Sequence, residues 1–192
     1  MKSASCPFFL VLILILILAL WPRRILSHGG HNKNPHLDMV TEACATTQYK
    51  DLCTSTIKEC GSTGHDLHSA AKIAVKVAWT VTSEAQVTMK KMLNNTTSVT
   101  SVPFIQQCLI DCDATYDDAV ANLKEAFEAF DVKAYGDIVT WVAAAMGDPH
   151  TCEGFFKKSA GYTCPVTGMN NAVVKLCSTA LTLTKQCAEG KN

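Results

Sequence analysis

Four stretches of this chain place apolar residues at alternating spacings of four and three, and that rhythm leaves few folds open. The first runs through Leu67, Ala71, Ala74, Ala78, Val81 and Ala85 to Met92. The second runs through Ile105, Leu109, Cys112, Tyr116, Ala119, Leu123, Phe127 and Phe130. Tyr135, Ile138, Val142 and Ala145 form the third, and Met169, Val173, Leu176, Ala180, Leu183 and Cys187 the fourth. Residues so spaced return to one face of an α-helix, whereas a strand would alternate every second residue. Breaks fall at Asn94-Asn95-Thr96-Thr97 through Pro103, at Asp131–Ala134 and at Tyr162–Pro165, and Gly147-Asp148-Pro149 reads as an interruption of the third stripe. Pro103 and Pro165 stand where a first helical turn tolerates proline. Short links between long helices make neighbours antiparallel, so the expected fold is all-α, an up-down-up-down four-helix bundle. The alanines of the first stripe predict close approach of its neighbours. No internal repeat or low-complexity segment follows the apolar N-terminus.

Ahead of the bundle, Asp38–Cys60 carries Cys44 and Cys53 nine residues apart, and two short helical pieces joined at Gln48-Tyr49 would bring these thiols together as an α-hairpin. Further upstream, Phe8–Trp21 is an apolar run too short for a membrane span of about 20 residues. Lys2 is a minimal basic start and Ser27 a small residue for cleavage, so residues 1–27 read as a signal peptide. Arg23 and Arg24 would suit an uncleaved anchor, the competing reading, which would leave the body in the cytoplasm. Ten cysteines fit export better, because disulfides persist in oxidising compartments. Residues 28–37 are expected to be a disordered mature N-terminus, with 38–60 the hairpin and 61–188 the bundle. His28-Gly29-Gly30-His31 reads as polar tail; only processing to Gly29 would make it an amino-terminal copper site.

Cleavage after Ser27 removes Lys2, Arg23 and Arg24, taking Lys+Arg from 17 to 14 against 17 acidic residues, a net charge of −3. No basic patch remains, which argues against nucleic acid as a partner. The remaining roughly 165 residues suit one domain with a sizeable core.

The residues assemble no catalytic constellation, so no enzyme activity, cofactor or metal is expected. The six histidines are scattered. His65 and His68, three apart, would share a helix face, but no second pair completes a zinc set. A capping or solvent-facing role suits them better, and Ser62-Thr63 before Asp66 has the chemistry of a helix start. Asp148 and His150 beside Pro149 read as loop and cap. Asp111, Asp113, Asp117 and Asp118 form an acidic cluster, which is either a solvated helix face complementing the macrodipole or a contact surface for a basic target. Asn94-Asn95-Thr96 and Asn95-Thr96-Thr97 are overlapping glycosylation sequons, with unmodified turn asparagines as the plainer alternative.

Four pieces in order resemble the plant invertase and pectin methylesterase inhibitor family. Cys44 to Cys53 is similar to its N-terminal hairpin. Asp111-Cys112 with Tyr116 and Asp117-Asp118-Ala119 resembles the start of its second bundle helix. Trp141-Val142-Ala143-Ala144-Ala145-Met146, then Thr151-Cys152-Glu153 and Phe155, resembles the third, and Leu176-Cys177-Ser178-Thr179-Ala180-Leu181 the last. The likeness runs from about Met39 to about Thr184, essentially the whole mature domain.

This resemblance implies a secreted, extracellular inhibitor of the plant cell wall space that blocks its target stoichiometrically. The target would be a pectin methylesterase or an acid invertase, and a monomer free of the membrane after cleavage is expected. It also implies the disulfides Cys44–Cys53 and Cys112–Cys152. Bundle geometry agrees with the second, since Cys112 and Cys152 fall at the same end. Cys108 and Cys164 belong to that end too, and Cys60 and Cys187 to the other, which predicts Cys108–Cys164 and Cys60–Cys187. Cys177 is left as a buried thiol.

Pectin methylesterase inhibitors of the family cover the pectin cleft with bundle helices and the hairpin; here the acidic second helix would serve. Invertase inhibitors insert the link between their second and third helices, using an Asp-Pro-Lys-Phe stretch. The corresponding residues are Asp131-Val132-Lys133-Ala134-Tyr135, where Asp131 and Lys133 match, Val132 replaces proline and the aromatic is displaced to Tyr135. Thr151-Cys152-Glu153-Gly154-Phe155, Lys157-Lys158 and Cys164-Pro165-Val166-Thr167 resemble the invertase-inhibitor-like branch. Both targets stay open. So does a non-inhibitory bundle with a structural role or carrying a small apolar ligand, although an alanine-rich first helix leaves little room for a cavity.

Overall fold

The computed structural model describes residues 35–60, 66–95, 102–158 and 161–190, with residues 35–38 described by their backbone. The expected signal peptide, the tail up to residue 34, Ser62, Thr63 and His65 lie outside them. Among the described residues six α-helices follow in order, α1 (Pro35–Ala45), α2 (Lys50–Cys60), α3 (Leu67–Asn94), α4 (Pro103–Glu128), α5 (Tyr135–Phe156) and α6 (Thr167–Ala188). A 3-10 turn, Ala129–Val132, continues α4 into the link. In the bundle α3 packs on α4, α4 on α5, α5 on α6 and α6 back on α3, which closes the antiparallel four-sided arrangement. The hairpin α1–α2 leans on α3 and α6. The first helix starts at Pro35, earlier than expected, because proline at a first helical position costs no backbone bond.

Each stripe faces the axis. Ala70, Ala71, Ala74, Ala78 and Ala85 of α3 are buried, as are Leu109, Cys112, Tyr116, Ala119 and Leu123 of α4. Ile138, Val142 and Ala145 of α5 meet Val173, Leu176, Ala180 and Leu183 of α6 in the same core. Four positions of the expected stripes are only half-buried: Met92, in whose place Met89 is buried, Phe127, which packs against Trp79 at a centroid distance of 5.8 Å, Tyr135 and Met169.

The expected break at Gly147-Asp148-Pro149 does not occur. Helix α5 runs through it, and Pro149 is buried inside the helix. Proline removes one backbone hydrogen bond and crowds the preceding turn. Here Ile138, Val142, Ala145, Pro149, Cys152 and Phe156 make one continuous buried stripe, and the packing of that stripe holds the helix across the defect. Asp148 and His150 are therefore helical residues and not loop and cap.

Helix starts and stops have local causes. Asp66 is the N-cap of α3, its Oδ1 accepting from the Ser69 backbone N–H at 2.6 Å. That bond holds the Asp66 carboxyl below the usual carboxylate range. Pro103 begins α4 as expected, but Pro165 sits in the turn ahead of α6, whose N-cap is Val166. The sequon residues Asn94 and Asn95 are the exposed last residue and C-cap of α3.

Candidate target-binding surface

The link between α4 and α5 is short and fixed. Lys133 donates its backbone N–H to Phe130 O at 3.0 Å, and Ala134 donates to Ala129 O at 3.2 Å. Lys133 closes the turn in the left-handed region, φ 54°, where a residue with a Cβ is strained. The turn drives Phe130 inward to full burial and leaves Val132 at the apex, 78% exposed. Asp131 and Lys133 flank it in the open. Tyr135 does not join this tip. It sits behind it, half-buried, with its hydroxyl sharing a 2.8 Å hydrogen bond with His68 Nδ1 and its ring against Phe130 and His68. Asp131 pairs with Lys72 of α3, whose ammonium also lies 5.1 Å from the centre of the Phe127 ring.

The acidic cluster of α4 is divided between two neighbours. Asp113 and Asp117 turn to α3, where Lys90 Nζ lies 3.7 Å and 3.6 Å from their carboxylates. Gln86 donates its amide to Asp117 and reaches the Asp113 carbonyl at 3.5 Å. Asp111 accepts from Gln107 on its own helix at 2.9 Å. Asp118 is exposed and faces Asp148 of α5. Burial, with Asp118 adding repulsion, raises the Asp148 carboxyl to about 6.

At the end of α4–α5 away from the link, a polar network sits inside the core. Tyr116 donates to Asn170 Oδ1 at 2.7 Å, and Asn170 Nδ2 donates to Glu153 at 2.7 Å. The same amide lies 3.5 Å from Cys152 Sγ and 3.6 Å from Cys164 Sγ. Burial pushes the Tyr116 phenol well above its ordinary value. Sequence reasoning misses Asn170, although it falls in phase with Val166, Val173, Cys177, Ala180, Thr184 and Cys187 on the inner face of α6.

Two disulfides stand among these elements. Cys44–Cys53 closes the hairpin with a Cα–Cα distance of 5.6 Å, and Cys112–Cys152 joins α4 to α5 at 4.7 Å. The expected Cys108–Cys164 and Cys60–Cys187 bonds are not formed. Cys108, Cys164 and Cys187 are buried free thiols, as is Cys177, while Cys60 is a half-cystine. Sharing an end of the bundle is not enough for a bridge, which also needs the two Cβ atoms to face each other. The Cys164 sulfur turns instead to Asn170, Thr167 and Glu153, and Cys187 lies within the field of Asp66. Burial raises the Cys164 and Cys187 thiols to about 11 and Cys177 to about 12.

Among the described residues, no group of three or more His, Cys, Asp or Glu is placed to hold a metal ion, and no helix is long and apolar enough to cross a membrane. An open groove of about 510 Å³ runs along the outer face of α3, bordered by Trp79, Ser83, Glu84, Val87 and Lys91. It lies outside the core and not between the bundle helices.

These elements define a disulfide-bonded four-helix bundle with an N-terminal α-hairpin. The chain belongs to the plant invertase/pectin methylesterase inhibitor family, whose sequence model matches residues 38–183. Members of that family are extracellular inhibitors of enzymes and not enzymes themselves. The chain is 31% identical over 120 residues to a Platanus orientalis protein named "Putative invertase inhibitor", covering 62% of this chain and 68% of that one. It is 28% identical over 180 residues to pectinesterase inhibitor 6 of Arabidopsis thaliana, covering 85% of both. A mutant form of an Arabidopsis pectin methylesterase inhibitor shares the fold, with a TM-score of 0.62 at 19% identity over 74% of this chain and 92% of that structure.

Proposed function

We propose that the chain is a secreted, stoichiometric inhibitor of a plant acid invertase and that the Ala129–Tyr135 link is its contact element. The observation that carries this reading is the tip itself. Val132 stands clear of the bundle between Asp131 and Lys133, on a turn whose base is buried and hydrogen-bonded. A loop held in one shape loses little conformational entropy on docking, so more of its contact energy appears as affinity. The Asp-x-Lys pattern supplies both charges, and the valine supplies an apolar point to enter a pocket. Curated relatives named as invertase inhibitors support the choice.

Pectin methylesterase is the second reading, favoured by the longer match to a pectinesterase inhibitor. Its contact would be the α4 face, but Asp113 and Asp117 are already engaged by Lys90 and Gln86 and Asp111 by Gln107, while Asp118 is exposed. The discriminating experiment titrates oxidised residues 28–192 against a cell-wall invertase and a pectin methylesterase at pH about 5, the acidic side on which exposed carboxylates are still mostly ionised. Loss of invertase activity alone near a one-to-one ratio, abolished by Val132→Asp, is the expected result. Loss of methylesterase activity alone would transfer the assignment to the α4 face. Inhibition of neither would bring forward a structural or carrier role.

A further inference from the structure

The link closes its own turn, but helix α3 decides where that turn sits. Two polar side-chain contacts cross from α3 to the link. One is the hydrogen bond shared by His68 Nδ1 and Tyr135 Oη at 2.8 Å, and the other is the ion pair of Lys72 with Asp131. They grip opposite ends of the tip, one residue before Val132 and three after it. His68 is itself held, its ring edge-on to Phe130 at 5.4 Å and to Tyr135 at 5.9 Å. It stands in the first turn of α3, directly after the Asp66 cap that anchors that turn. None of these α3 side chains is at the apex: His68 and Lys72 are both partly buried.

We propose that His68 and Lys72 are positioning residues of the inhibitory surface, setting the strength of inhibition through the placement of Val132 without touching the target. The inference rests on the reading of the link as the contact element. The two grips differ in kind. The Lys72–Asp131 pair is exposed on the Asp131 side and screened by water, so its contribution is small and falls with salt. The His68–Tyr135 bond is partly buried and directional, so it carries the larger share. Tyr135, the displaced aromatic of the link, thus acts from behind the tip as the receiver of this grip.

The test compares inhibition constants for the full mature chain carrying Tyr135→Phe, His68→Leu, both together, His68→Asn, Lys72→Met and Val132→Asp, each with a melting curve. Tyr135→Phe and His68→Leu are each expected to weaken inhibition roughly tenfold, the loss of one directional hydrogen bond. The double variant should be no weaker than the single ones, because both remove the same bond. In His68→Asn the new amide oxygen replaces Nδ1 as the hydrogen-bonding atom, so this variant should recover most of the inhibition that His68→Leu loses. Lys72→Met, which keeps the stem over Phe127, should cost a few-fold at low salt and nothing at high salt. Trypsin cleavage after Lys133 should accelerate in Tyr135→Phe, a readout independent of the target. A purely structural role would lower melting temperatures and leave the inhibition constants of the folded variants unchanged, which overturns the proposal. If Val132→Asp inhibits as well as the parent, the link is not the contact element, and the proposal falls with that reading. If Val132→Asp abolishes inhibition while Tyr135→Phe and His68→Leu do not alter it, the link reading stands and only the positioning role fails.

Discussion

Replacing Asp148 by asparagine should stabilise this protein at pH values above 3.8, the ordinary value of its carboxyl. Asp148 lies mid-helix in α5 with its Oδ2 buried and lacking a hydrogen-bond partner. Burial, reinforced by Asp118 across the α4–α5 interface, raises its carboxyl from 3.8 to about 6. The folded protein therefore holds this proton more tightly than the unfolded chain does. Below pH 3.8 both states are protonated and the residue is neutral in its effect. Between 3.8 and about 6 the unfolded chain ionises first, and stability declines as pH rises. Above about 6 both states are charged and the penalty is constant. The whole shift corresponds to about 3 kcal/mol at 1.36 kcal/mol per pKa unit. The residue is only half-buried and solvent screens its charge, so about 1 kcal/mol is the expected plateau. The assay is urea unfolding of the parent and Asp148→Asn at pH 3.5, 5, 6 and 7. The difference should be near zero at the lowest pH and grow to its plateau by the highest. A difference that does not vary with pH, or a variant less stable than the parent at pH 7, would refute the reasoning. At pH 5, midway through this window, the native carboxyl is still largely protonated while the unfolded chain is already ionised, so about half of the plateau difference should be present there.

Removing the Tyr116 hydroxyl with phenylalanine leaves Asn170 Oδ1 buried without its donor, and urea unfolding should show a loss of about 1–3 kcal/mol. Lys133→Gly should relieve the left-handed backbone and raise stability by up to about 1 kcal/mol in the same assay. Breaking Cys112–Cys152, which spans 40 residues, should cost about 4 kcal/mol, and breaking Cys44–Cys53, which spans 9, about 2.5 kcal/mol, by loop-closure entropy. The reverse order would show that strain or residual structure dominates. Iodoacetamide with mass spectrometry should leave Cys108, Cys164, Cys177 and Cys187 unmodified in the native protein and label all four once it is unfolded. A failure of Cys108 and Cys164 to label even then would show that they are bonded after all.

The bundle is legible in the sequence because its four stripes need only apolar residues at helical spacing, and every long helix obeys that rule. What escapes a sequence reading breaks the rule in one residue. Pro149 reads as a stop, yet it continues the stripe of Ala145 and Cys152 at the same spacing, so its phase is a better guide than its propensity. Asn170 escapes because it is polar, although its phase on α6 is that of Val173 and Cys177. The extra cysteines fail for a different reason. Position along a helix is enough to assign an end of the bundle, but pairing depends on rotation about each helix axis. Cys108 lies one turn before Cys112 on the same face and competes for the same neighbourhood, and Cys112 has Cys152 at 4.7 Å. The break in the stripes locates the link, but nothing in its residues announces that Tyr135 is held by His68, a residue 67 positions earlier.

The register of α4 against α5 connects these findings. Cys112 stands 17 residues before Ala129, and Cys152 stands 17 residues after Tyr135. At 1.5 Å per helical residue, both sulfurs therefore lie about 25 Å from the turn. The pair forms a helical hairpin closed at one end by backbone and at the other by a disulfide, with neither helix free to slide along the other. Glu153, beside the bridge, is tied through Asn170 to Tyr116, so α6 is drawn into the same closure. At the turn, His68 and Lys72 bring in α3. All four bundle helices thus bear on the one hairpin that carries Val132. The Cys112–Cys152 bridge and the Tyr116–Asn170–Glu153 network hold one end of the α4–α5 hairpin, and the contacts from His68 and Lys72 hold the end that carries Val132.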